Sequence, residues 1–268
     1  MNQLPGPVLG ISTASGAAVA LVCPGAEPIQ LENAQPRAHV ESLVPLVGQV
    51  LQLAGLQVAD LVGIGVGTGP APYTGLRVGL VAAGALGLAA GVPVWGVSDL
   101  DVLAHQAAAR LGPAKGSTIL ATIDAKRREV YWALFQLDAK PGESANPAWW
   151  QGTAPTKLAI TEVTTPDQAP VADVVVGEGR GIGLTRLAGP EVSAPDQVPT
   201  ADLVVGEAAQ LYPDRLPLTP GAPTQVDPVT LAYLAAWRAS QDQDTSTQPL
   251  YLRRPHVQMA QPKKKALQ

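Results

Sequence analysis

The chain has 268 residues, 46% hydrophobic and 15% charged, with a net charge of −4. That is ample for buried cores and excludes both wholesale disorder and the charge-driven nucleic-acid affinity of a basic protein. Its one cysteine, Cys23, excludes an internal disulfide. The start MNQLPGP has neither the basic residues nor the apolar core of a secretion signal, so a cytoplasmic location is expected.

Short apolar runs at 8–11, 17–22 and 28–31, separated by Ser, Thr and Gly and by Cys23-Pro24-Gly25, predict three strands joined by tight turns. Val40, Leu43, Val44, Val47, Leu51 and Ala54 then recur at three- and four-residue steps, predicting a helix that Gly55 closes. Pro45 is expected to kink that helix or to mark its first turn. A strand at 61–66, a helix at about 74–90 and a strand at 92–97 follow. Ser98 is the expected N-cap of a helix over 99–111, with Asp101 at its third position, Gly112 at its end, and Leu100, Leu103, Ala104 and Ala107 facing inward.

A second block opens with strands at 118–123 and 130–136, joined by residues 124–129; residues 137–156 predict an irregular loop. VADVVVGEGRGIG at 171–183 echoes VADLVGIGVGTG at 58–69, which fits either two related halves or simply two buried strands entering glycine turns. Another helix is expected over 227–240, with Leu231, Leu234, Ala235 and Arg238 marking its faces, before a polar tail from 258 carrying Lys263, Lys264 and Lys265.

Residues 78–97 carry no charge, but Gly91 and Pro93 interrupt them and large apolar side chains are few, so no membrane span is expected. A Walker loop requires Lys and Ser or Thr after its last glycine, whereas Gly75 is followed by Leu76 and Arg77. A dinucleotide fingerprint counted from Gly65 or Gly67 meets Pro70 or Pro72 at its third site. His39, His105 and His256 are not paired at ligand spacing, so no metal is expected. There is no Gly-x-Ser-x-Gly elbow, and Cys23 has no basic neighbour in sequence to activate it, so no catalytic residue is assigned. What remains is a stripe of small residues at four-residue spacing, Gly75, Gly79, Ala83 and Gly87, suited to close packing against either a partner's helix or the chain's own sheet.

Three ordered motifs carry a resemblance. GPAPYTGLRVG at 69–79 resembles the GPGSYTGLRIG hallmark of the TsaB (YeaZ) family, DAKRREVY at 124–131 is similar to its DARxxEVY, and PLYLR at 249–253 is similar to its PVYLR. The resemblance implies an α/β fold of two ribonuclease-H-like lobes of the actin/Hsp70/sugar-kinase (ASKHA) superfamily. The expected lobes are 1–103, bearing partner-docking helices, and 104–257, followed by a flexible basic tail at 258–268. It further implies a noncatalytic subunit that pairs with, and activates, the transferase TsaD in placing threonylcarbamoyl on N6 of adenosine 37 of tRNAs reading ANN codons. TsaE joins the assembly, a homodimer is expected without TsaD, tRNA is met through the complex, and ATP, magnesium and metal reside on partner subunits. The rival is an enzyme of the same superfamily, either metallopeptidase-like or a small-molecule kinase.

On this resemblance the docking surface comprises Val40, Leu43, Val47, Tyr73, Gly75, Leu76, Gly79, Ala83 and Gly87, and Lys126, Arg127, Arg128, Arg253 and Arg254 are candidate tRNA contacts. The departures point away from catalysis. Asp99 and Leu103 stand where TsaD has its metal-binding histidines, and Ser12 stands where relatives place an aspartate in the first phosphate loop. Ala71-Pro72 replaces Gly-Ser before the second helix.

Overall fold

A computed structural model describes residues 4, 6–33, 39–71, 73–139, 158–160 and 183–252. Strands β1 (Val8–Ser12), β2 (Ala18–Val22) and β3 (Ile29–Asn33) form an antiparallel meander, and β4 (Gly63–Gly67) returns parallel to β1. With β5 (Val94–Val97) outside β4 and β8 (Leu158–Ile160) outside β3, the first sheet runs β5-β4-β1-β2-β3-β8. The second sheet repeats the plan: β6 (Thr118–Lys126), β7 (Glu129–Ala139) and β9 (Gly183–Ser193) meander, and β10 (Leu203–Val205) returns parallel to β6, giving β10-β6-β7-β9.

This duplication supports the reading of two related halves. The strand occupying β4's place in the second sheet is β10, within ADLVVGE at 201–207, which also echoes VADLVGIG. Residues 171–182 lie outside the described residues.

Helices α1 (His39–Leu53) and α2 (Tyr73–Ala90) cover one face of the first sheet, and α5 (Pro228–Ser240) covers the other. The sequence of β4, GIGVG, encodes this directly, because alternate residues of a strand point to opposite faces. Ile64 and Val66 join Leu9 and Ile11 in the core beneath α1 and α2. The glycines face the other way, where α5 comes so close that a Cβ on Gly65 would lie 2.8 Å from the Cβ of Ala235. Gly10 of β1 is in the same position against the Pro228 carbonyl. Asp227 starts α5 by accepting from the backbone N–H groups of Val229 and Thr230, with Pro228 in the first turn.

Helix α3 (Asp99–Leu111) crosses the division expected at 103/104 and packs on β6 and β7, while α5, from the second half of the chain, lies on the first sheet. Pro45 lies inside α1. Gly112 ends α3 in the left-handed conformation expected of it, with φ 56°. Ser98 is the N-cap by position and by its extended backbone, but its hydroxyl makes no capping bond. Strand β7 runs on to Ala139, beyond the expected loop start at 137, and β8, β9, β10 and the short helix α4 (Glu207–Leu211) were not foreseen. Among the described residues no helix is long and apolar enough to cross a membrane.

Candidate functional site

The small-residue stripe packs inward. A Cβ on Gly79 would lie 2.5 Å from the Thr13 hydroxyl, one on Gly75 would lie 2.9 Å from the Thr13 carbonyl, and one on Gly87 would run into Val94. Ala83, Leu76, Leu43 and Val47 are likewise buried, at 0%, 1%, 0% and 2% exposure. Of the two readings the stripe allowed, the structure takes the chain's own sheet, and these seven expected docking positions are corrected accordingly. The small side chains are required because α2 lies against the end of β1 and against β4 and β5. The side chains of Val40 and Tyr73 lie outside the described residues. Gly79→Trp is therefore expected to abolish folding, read as loss of a cooperative thermal transition, rather than to act selectively on a partner.

The opposite face of the same helices is open. On α2, Val81 and Leu88 are 71% and 87% exposed, one helical heptad apart; on α1, Val44 is 61% exposed, while Leu53, 41% exposed, lies about half a turn round the axis from it. Between them Gly48 and Gly84 face open space, leaving a shallow surface with apolar side chains on two adjacent helices. Sequence periodicity missed this face because both sides of α2 are apolar: Leu76 and Ala83 are buried on one side and Val81 and Leu88 are exposed on the other, with few polar residues to mark the solvent side.

Two of the three motifs meet at the first turn of α2. Arg77 Nε donates to the Tyr251 hydroxyl at 2.9 Å, and its guanidinium lies 5.5 Å from the ring centroid. The chain reaches this point by backbone bonds from Gly96 N–H to the Thr245 carbonyl and from Leu250 N–H to the Thr68 carbonyl. PLYLR thus straps the loop that launches α2. Arg253 and Arg254 lie outside the described residues.

The third motif forms the β6–β7 hairpin. Lys126 Nζ donates to Asp124 Oδ2 at 2.6 Å. Glu207 accepts from the Asp124 N–H at 3.4 Å and from the Ser15 hydroxyl at 3.5 Å, linking the hairpin to the β1–β2 turn. Burial pushes the Glu207 carboxyl above its usual range. Arg127 and Arg128 are exposed at the tip.

At the start of α3, two aspartates of the first turn experience opposite fields. Asp101 bridges Arg186 of β9 and Arg238 of α5, the latter at 2.7 Å. Burial pushes its carboxyl up, but the two guanidiniums outweigh burial and hold it below the ordinary range. Asp99, also buried, lies against Gly67 with one carboxylate oxygen unbonded. Burial, against a hydrogen bond from Gly69, raises it to about 7. His105, one turn beyond Asp101, donates from Nδ1 to the Asp101 carbonyl at 2.8 Å, and burial followed by the Arg238 charge lowers it to about 4. Leu103 is sealed in the apolar core, so the position that carries a histidine in TsaD offers no donor atom. Cys23 is half-buried and its thiol is pushed up, away from nucleophilic reactivity.

Two sheets of one strand plan, with α3 packed on the second, α5 packed on the first and the two helices in contact, make a two-lobed α/β protein. Comparison with known proteins bears on the family. Residues 32–147 match the family model described as tRNA N6-adenosine threonylcarbamoyltransferase, TsaD. The Escherichia coli tRNA threonylcarbamoyladenosine biosynthesis protein TsaB is 37% identical over 132 residues, 49% of this chain and 55% of that protein. An uncharacterised Mycobacterium bovis protein is 42% identical over 131 residues, 48% of this chain and 58% of its own length. The chain thus spans little more than half the length of these curated relatives. YeaZ from Pseudomonas aeruginosa superposes with a TM-score of 0.65 at 24% identity, covering 92% of this chain and all of that one, which carries the fold. Over about half its length the chain is thus similar to TsaB proteins, and its fold is that of YeaZ.

Proposed function

We propose that the protein is a docking and activating subunit for TsaD in the N6-threonylcarbamoylation of adenosine 37 of tRNA, and that it carries no catalytic group of its own. The observation behind this reading is the open face of α1 and α2, where Val44, Val81 and Leu88 project beside Gly48 and Gly84. A surface with flat, glycine-lined centres and large apolar side chains suits a pair of helices from another subunit, since backbones approach closely and the projecting side chains lose water. The names of the curated relatives supply the pathway, and the TsaD-like match fits a paralogue whose counterpart in the complex shares its fold. In this reading TsaE joins through the complex, ATP, magnesium and metal belong to the partner subunits, the protein works in the cytoplasm, and the same face makes a homodimer when TsaD is absent. Leu103 in the apolar core and Ser12 at the end of β1 argue against the metallopeptidase and kinase alternatives, because leucine has no donor atom for a metal and the serine hydroxyl lacks the negative charge of an aspartate at that place.

The test is the double variant Val81→Asp/Leu88→Asp. Both side chains stand in solvent, so the melting temperature should stay within a few degrees of the parent. Each should contribute on the order of 1.5–3 kcal/mol once covered, so co-purification with TsaD should weaken by about 100-fold or more. Undiminished recovery of TsaD would remove this face from the complex.

A further inference from the structure

Lys126 pairs with Glu129 across the β6–β7 hairpin, leaving Arg127 and Arg128 as a two-residue loop. All three residues from 126 to 128 have left-handed backbone angles, with φ of 62°, 57° and 62°. Hairpin loops of this length and hand ordinarily carry Asn, Asp or Gly, which adopt positive φ with least strain; two long, branched cations are a poor choice for the turn itself. Lys126 is compensated locally, since its N–H and its ammonium both bond the Asp124 carboxylate, at 2.9 and 2.6 Å. Arg127 and Arg128 have no such tie: among the described residues neither guanidinium meets a carboxylate, and both are exposed. Of the acids around the tip, Asp124 is engaged by Lys126 and Glu207 by Ser15 and the Asp124 N–H, while Glu129 stands opposite Lys126 across the turn. The tip is therefore a local pair of uncompensated guanidiniums on a chain of net charge −4.

We propose that Arg127 and Arg128 clamp backbone phosphates of a structured RNA, so that this chain contributes a contact of its own to the substrate of the assembly. The inference rests on the tRNA-modification reading above and names a surface remote in sequence from the docking helices. Planar guanidinium forks bind phosphate oxygens bidentately, and a rigid two-residue turn holds the two forks together at little ordering cost. Because the rest of the surface is on balance acidic, such a contact positions RNA without giving the free chain general affinity for polyanions.

The experiment uses the complex reconstituted with TsaD and TsaE and an in vitro transcribed tRNA as probe, across a salt series. Two variants are compared with the parent: Arg127→Glu/Arg128→Glu, and Arg127→Asn/Arg128→Gly, which removes the charges while relaxing the turn. Both should bind tRNA at least tenfold more weakly, with the slope of log affinity against log salt shallower by about one to two, as expected for one phosphate lost per arginine. The Asn-Gly variant should also melt higher than the parent, so its weaker binding cannot come from a damaged hairpin. Recovery of TsaD should be unchanged. Parental affinity and slope in both variants would overturn the proposal, as would loss of TsaD in either variant, which would make the tip a protein contact. Failure of the docking reading would register separately, in the Val81→Asp/Leu88→Asp variant.

Discussion

Asp101→Ala should destabilise the protein by about 3 kcal/mol at neutral pH, because it leaves the Arg186 and Arg238 guanidiniums facing each other with no anion between them. The figure sits at the lower end for a broken buried ion pair, since Arg186 is about a third exposed and water can reach it. The effect extends beyond local packing. Asp101 is on α3, which rests on the second sheet; Arg186 belongs to that sheet, and Arg238 to α5, which rests on the first. The triad thus joins the two lobes. Urea denaturation should show the loss at pH 7, and Asp101→Asn, which keeps two polar contacts, should lose less. Because the folded carboxyl is held below its ordinary value, the wild-type contribution is present above about pH 4 and fades only as acid titrates the folded form. A mutant as stable as the parent at pH 7 would mean that the three groups do not hold the lobes together.

Asp99→Asn should stabilise the protein at pH 8 by about 2–4 kcal/mol and leave it nearly unchanged at pH 4. The sign follows from proton counting. With a folded value raised from 3.8 to about 7, Asp99 holds a proton in the folded chain between those limits and has released it in the unfolded one. Stability therefore falls as pH rises through that window, by about 1.4 kcal/mol per unit at most. His105 works oppositely. Its folded value is lowered from 6.5 to about 4, so the unfolded chain takes up its proton first as pH falls, and stability declines on acidification between those values. In the parent the two nearly cancel from pH 4 to 6.5. The Asn variant removes one of them, so its stability should climb with pH over that interval while the parent's stays flat. Denaturation midpoints at pH 4.5, 6 and 8 would expose the difference, and parallel profiles for the two proteins would show that Asp99 titrates as an ordinary carboxylate.

The two aspartates also show how far a sequence can be read. Ser98-Asp99-Leu100-Asp101 at the head of a helix reads as a cap followed by acidic residues favoured by the helix dipole. The helix and its Gly112 end are as expected, yet Ser98 makes no cap bond and Asp101 is turned toward arginines 85 and 137 positions away. Local spacing carries helix ends because caps act within one turn. It says nothing about a partner brought in by a different sheet. The short or interrupted elements were lost for a related reason: β10 has three residues and β9 runs through Gly189 and Pro190, so neither gives a periodic signal, and both are held by neighbours already in place.

The sequence by itself determined the order of the main elements up to β7, the helix at the C-terminal side and the likeness to TsaB (YeaZ) proteins, because hydrophobic period and three ordered motifs are properties of near neighbours along the chain. Only the tertiary structure decided which side of α2 is open. Small residues signal close approach without saying to what, and it is the nearness of Thr13 and Val94 to Gly79 and Gly87 that turns the stripe inward and leaves Val81 and Leu88 in water. Facing is a relation between elements that the chain brings together only when it folds.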